Sequence, residues 1–167
     1  MGRKLEPRSD RSVNLSSNSD PRFFCFKALA QRARADFAAG IALRYLGEVA
    51  RRRGDLADAE ALGREGLRVW QRLGAPAGLA VALENLALTA AAARGAQVER
   101  AARLLGAAAA LSETVGAPQV LRGREETEQI IAPARAALGK ERWAADFAVG
   151  QALSLEAAIA EALGEAD

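Results

Sequence analysis

From Phe23 onward the apolar residues recur at steps of three and four, the spacing that gathers side chains on one face of a helix. Ala42, Leu46, Val49 and Ala50 make one such stripe, and Leu56, Ala59, Leu62, Gly66, Val69 and Trp70 make a second. Gly54-Asp55, Gly74-Ala75-Pro76, Gly95-Ala96, Gly116-Ala117-Pro118, Gly139 and Gly150 interrupt the pattern. Each predicts a helix end, because glycine accepts the left-handed conformation that closes a helix and proline opens the next one readily. The helices so delimited are about seventeen to twenty residues long in the first two thirds of the chain.

The stripes repeat. Gly74-Ala75-Pro76 returns as Gly116-Ala117-Pro118 after forty-two residues, and Ala59 and Leu62 return as Ala101 and Leu104 at the same offset. In the helix before, Leu43, Leu46 and Ala50 return as Leu83, Leu86 and Ala90 at an offset of forty, the difference falling in a turn. Two helix-turn-helix units are therefore predicted, about 37–76 and 77–118, stacked as a solenoid. Gly63 and Gly66 lie inside the second predicted helix, where glycine costs about 1 kcal/mol relative to alanine, so a close helix contact is expected there. At the first turn Gly54 fits the position just past a helix, Asp55 is the expected cap of the next, and Arg51, Arg52 and Arg53 sit where a helix C-terminus favours positive charge.

Beyond Pro118 three shorter helices are predicted, about 121–138, 140–150 and 154–163, the last capped by Ser154. They form a C-terminal cap over 119–165, with Trp143 and Phe147 in its core, and Pro133 predicts a kink or break near Ile131 and Ala132. Residues 1 to 22 carry only Leu5, Val13 and Leu15 as sizeable apolar groups and read as a disordered basic tail. The expected layout is a single helical-repeat domain over 23–167, all-α, with about seven to eight helices.

Composition narrows the chemistry. Half of the 167 residues are hydrophobic, mostly Ala and Leu, which favour helix. No histidine occurs, which removes the commonest general base and metal ligand, and the one cysteine, Cys25, reads as a small apolar residue among Phe23, Phe24 and Phe26. Carboxylates such as Glu84, Glu125 and Glu126 are scattered and compose no catalytic set, so no enzyme, cofactor or metal is expected.

The net charge of +2 is uneven, with eight Lys or Arg against four Asp or Glu in residues 1 to 36. That tail lacks Tyr and Trp for base stacking, which argues against nucleic acid. Glu6 stands where a myristoylation signal carries Ser or Thr, and neither a secretion signal nor a membrane span is read, so a cytoplasmic protein is expected.

The stretch Glu99-Arg100-Ala101-Ala102-Arg103-Leu104-Leu105-Gly106-Ala107-Ala108, with Val115-Gly116-Ala117-Pro118, Ala136-Ala137-Leu138-Gly139 and Gly150-Gln151-Ala152-Leu153-Ser154-Leu155-Glu156, resembles the C-terminal tetratricopeptide-repeat region of bacterial regulators. Those regulators join a STAND-type ATPase to such repeats, often with a LuxR-type DNA-binding domain. The resemblance covers about 38–165. It implies a tetratricopeptide-like solenoid acting as a protein-interaction or sensor arm of a transcriptional regulator. It does not extend to ATP or DNA binding, since no Gly-Lys-Ser/Thr phosphate loop and no helix-turn-helix reader is present. Ala157 and Pro133 depart from the family pattern.

Mapped on that pattern, the first helices of the pairs line a concave groove with Ile41, Arg44, Glu48, Arg51, Arg52, Val81, Glu84 and Leu88, suited to a charged protein or peptide partner. The alternative expectation is a self-assembling helical module, a homodimer included, or a truncated remnant of a longer gene. With two clear repeats, the open face near 37–53 has to be covered by residues 23 to 37 or by another copy.

Overall fold

The computed structural model describes residues 21 to 116 and 124 to 165. Among them are seven helices and no strand: α1 (Pro21–Arg53), α2 (Leu56–Leu73), α3 (Pro76–Ala93), α4 (Gln97–Thr114), α5 (Arg124–Leu138), α6 (Lys140–Ala152) and α7 (Leu155–Leu163). The all-α expectation holds. The tail expected over 1–22 lies outside the described residues as far as residue 20, while Pro21 and Arg22 already belong to α1.

The chain divides into two compact units, 1–34 and 35–167. The described part of the first is helical and exposes Phe24, Cys25, Phe26 and Leu29. This corrects the reading of Cys25 as a small residue held in an apolar cluster. Successive residues of a helix point about 100° apart, so neighbouring phenylalanines do not enclose the thiol between them.

In the second unit the helix ends follow the glycines. At the end of α1 the Gly54 N–H donates to the Arg51 carbonyl (3.1 Å) and the Asp55 N–H to the Ala50 carbonyl (3.0 Å). The same pair closes α2, from Gly74 to Gln71 and from Ala75 to Trp70, both 3.1 Å. Each is a Schellman closure, which needs the positive φ that these glycines show, 88° and 57°. Asp55 does not cap α2 through its side chain, contrary to expectation; its φ of −78° and ψ of 65° hold no cap bond. Ser154 does cap α7, its Oγ accepting from the Ala157 N–H at 3.1 Å.

The core is built on α3 and α4. Leu67 of α2, Leu83, Leu86 and Leu88 of α3 and Leu104 of α4 are its largest fully buried side chains, joined by Ile131 and Ala134 of α5, Trp143 of α6 and Ile159 of α7. Trp143 is thus a core residue, as its spacing from Phe147 suggested, and Phe147 packs against the core from a half-buried position. Helix α3 is apolar and long enough to pass as a membrane span by composition, and over half of that window is buried within the protein.

Glycines set the helix spacing. A Cβ on Gly63 would come within 2.6 Å of Leu86 Cδ2, the close α2–α3 contact expected from its place inside a helix, whereas one on Gly66 would meet Leu43 Cβ at an ordinary 3.6 Å. The Trp70 indole fills the space left by Gly40 on α1 and Gly78 on α3, and Phe37 meets it edge-on with ring centroids 5.2 Å apart. The tightest crossing joins α4 to α6. A Cβ on Gly106 would fall on the Phe147 carbonyl, and one on Gly150 on the Arg103 carbonyl. Gly150 is therefore an interior residue of α6 and not the helix end read from the sequence.

Pro133 lies within α5, which runs through it without a break. The amide it lacks would have bonded the Gln129 carbonyl, and both residues are on the exposed side, where water can serve that carbonyl.

Two stability changes follow, both read from urea unfolding midpoints with circular dichroism. Gly150→Ala separates α4 from α6 and is expected to cost about 3 kcal/mol, the upper range for overpacked cores. Arg94 holds φ 60° and ψ −166°, a region that suits glycine, so Arg94→Gly is expected to stabilise by about 1 kcal/mol.

Candidate partner-binding surfaces

The predicted groove residues come from α1 and α3, and the structure draws several of them into ion pairs. Glu48 accepts from Arg52 on the next turn, 2.6 Å from Nη2 to Oε1, and lies 4.0 Å from Arg44. The same Arg52 nitrogen pairs with Glu126 Oε1 on α5 at 2.5 Å, tying the end of α1 to the start of α5. The Arg44 guanidinium lies 3.9 Å from the centre of the Tyr45 ring, and its side chain is only 9% exposed. Arg51, also at 9%, is buried.

Of the remaining positions, Ile41 and Arg52 are exposed and Val81 and Glu84 half-buried. Leu88 is the clear departure. It has no exposed surface and belongs to the core, so it cannot line a groove. The reason lies in α3, which is flanked by α2, α4 and α5 and buries ten of its eighteen residues. A helix covered on several sides carries little periodicity to separate a groove face from a core face.

Sequence reading missed two further assemblies. The first is an ionic lattice that joins α2, α4, α6 and α7. Arg100 donates to the Ala162 carbonyl (2.8 Å) near the C-terminus of α7 and pairs with Glu60 of α2 (2.9 Å), which also holds Arg64 (3.0 Å). Arg103 donates from Nε to Glu161 (2.6 Å) and lies 3.6 Å from Asp146, a buried carboxylate that Arg142 reaches from its other side at 3.2 Å. The arginines of the Glu99–Ala108 stretch thus staple α4 to its neighbours. The signal was present as Arg at 100 and 103 on one face of α4, but their partners are some sixty residues away.

The second is an open cleft of about 700 Å³ between α2, the start of α3 and α7. Leu79, Leu155, Ile159 and Leu163 give it an apolar floor, with Arg68 and Arg72 on one rim and Glu156 on another. That lining offers room for an apolar side chain and opposed charges for its flanks, and no arrangement of nucleophile and base.

Among the described residues no group of three or more His, Cys, Asp or Glu side chains could hold a metal ion. Comparison with protein-family models, with curated proteins and with solved structures returns no match for this chain.

The two ionic groups should differ in worth. Arg103→Ala leaves Glu161 and the buried Asp146 without their shared cation and is expected to cost about 1–3 kcal/mol, the range for charge-assisted hydrogen bonds. Arg52→Ala removes a pair at the surface and is expected to cost less than about 1 kcal/mol. Thermal unfolding of the two variants side by side checks the order.

Proposed function

We propose that this chain is a non-catalytic protein-binding module, a tetratricopeptide-like helical array of the kind found in the sensor arms of bacterial transcriptional regulators. Its partner is a protein or peptide with charged groups. The observation that carries this reading is that α2, α3 and α4 have equal length and pack in sequence order, α2 on α3 and α3 on α4, while α1 and α2 close on the same glycine motif. On the first helix of each pair this leaves Ile41, Arg52, Val81 and Glu84 at least partly accessible.

Support also comes from the kinds of group on those faces. Isoleucine and valine share these two helices with accessible arginine and glutamate, a mixture that recognises a peptide through an apolar anchor and flanking ion pairs. The array departs from a uniform repeat after α4, whose main later neighbour is α6 and not α5. In this reading α5, α6 and α7 terminate the stack.

The test is capture of a partner from bacterial extract by the full chain, beside full-length Ile41→Glu and Arg52→Glu baits of unchanged helicity. A protein retained by the native bait and lost by at least about tenfold with both variants is expected, since an anchor and its flanking charge each contribute a kcal/mol or more. Equal retention by all three baits would overturn the assignment of this surface.

A further inference from the structure

The cleft between α2, the start of α3 and α7 carries charges that the fold leaves unused. Arg68 and Arg72 stand one turn apart on the exposed side of α2 and line one rim. Glu156, in the first turn of α7, lines another, and Glu165 lines the cleft just past the end of that helix. Among the described residues none of these four takes part in an ion pair. Other arginines of α2 and α4 do: Arg64 and Arg100 hold Glu60, and Arg103 holds Glu161. In the floor, Leu155, Ile159 and Leu163 follow one another at steps of four and form a ridge of about two turns on α7, beside Leu79 of α3. Leu155 is 36% exposed and Leu163 half-buried, so the ridge is open to a further apolar group.

We propose that this cleft docks an amphipathic helix of a partner protein, with leucine-like side chains along its seam and carboxylates along the edge that meets α2. Both parts of that description follow from the lining. A ridge of side chains at steps of four accepts a helix whose own apolar groups recur at three and four, because the ridges of one helix settle into the grooves of another. Arg68 and Arg72 have the same spacing, so carboxylates one turn apart on the incoming helix reach both, and each planar guanidinium matches a carboxylate in two hydrogen bonds. Glu156 calls for a cation on the opposite edge and so fixes which way round the helix lies. A polyanion suits the site less, since its phosphates would meet Glu156 and Glu165 as well as the arginines.

The undescribed segments of the chain do not have this pattern. Residues 117–123 carry no carboxylate, and in residues 1–20 Leu5, Val13 and Leu15 are never three or four apart. This inference rests on the reading of the chain as a protein-binding module and gives it a second docking place, apart from Ile41 and Arg52 on α1. In such a site the apolar seam supplies most of the affinity, and the exposed charges supply orientation and selectivity.

Fluorescence anisotropy of the full chain with two synthetic peptides tests it. Both are labelled peptides of about fourteen residues, near the shortest length that holds a helix in water, with leucines at steps of three and four. One carries glutamate along one edge and lysine along the other; its counterpart carries lysine along both. The expected result is micromolar binding of the glutamate-edged peptide and at least about tenfold weaker binding of the counterpart. The double variant Arg68→Glu with Arg72→Glu is expected to reverse that preference, which a misfolded chain would not do. Leu155→Asp, an acid at a helix start that favours one, is expected to weaken the glutamate-edged peptide by at least about tenfold with circular dichroism unchanged. Ile41→Glu is expected to leave it unchanged. No binding of the glutamate-edged peptide, equal binding of the two peptides, or binding that survives both the double variant and Leu155→Asp overturns the proposal. Binding lost with Ile41→Glu and kept with Leu155→Asp would seat the peptide on α1, which overturns the cleft and leaves the binding module standing. Displacement of the peptide by a single-stranded oligonucleotide would overturn the proposal in favour of a nucleic-acid site.

Discussion

The contact on which the second unit depends is the crossing of α4 and α6, where two backbones meet with no side chain between them. Gly106 faces the Phe147 carbonyl and Gly150 faces the Arg103 carbonyl, so each helix supplies the gap that the other's main chain enters. Close approach draws Trp143 into the core and brings Asp146 within reach of Arg103. Because Arg103 also holds Glu161, the position of α7 follows from the same crossing. Two glycines, each unfavourable within an isolated helix, are retained because the packing they permit outweighs the loss.

At the other side of the core a different device does the spacing. Trp70 is a large ring held by two glycines, Gly40 and Gly78, on the helices to either side of its own. A bulky group in a slot keeps α1, α2 and α3 in register, whereas the α4–α6 crossing keeps its helices in register by having nothing in the slot. The ion pairs are arranged to suit: those around Arg100 and Arg103 link four helices in the better-buried region, and that of Arg52 with Glu126 is an exposed tie between α1 and α5.

Much of the fold was legible because its punctuation is local. A glycine with positive φ and the two backbone bonds it closes depend on four or five neighbouring residues, so Gly54 and Gly74 could be read as helix ends from sequence alone. Gly150 shows where that logic fails. A glycine that ends a helix and a glycine that admits another backbone are the same letter, and only the second helix tells them apart. The surface was less legible than the core. The residues assigned to a groove were mapped from the repeat pattern that the chain resembles, which says which helix lines a groove and not what later helices do to it. Leu88 went to the core because α3 is covered from several directions. Arg44 and Glu48 pair within α1, and Arg52 is drawn to Glu126, which α5 supplies nearby. The break that Pro133 allowed for does not occur, because its missing bond falls on the water side, where a helix tolerates it.

The chain has two tryptophans, and they stand at the two devices just contrasted. Trp70 senses the slot between α1 and α3, and Trp143 lies in α6 beside the glycine crossing. Each indole is nearly shielded from water, so its emission shifts to longer wavelength when its own region opens. A chain that keeps one tryptophan and has phenylalanine in place of the other would report whether the helices come apart together or from one end. The molecule thus carries its own pair of optical probes, one for each way in which its helices are kept apart.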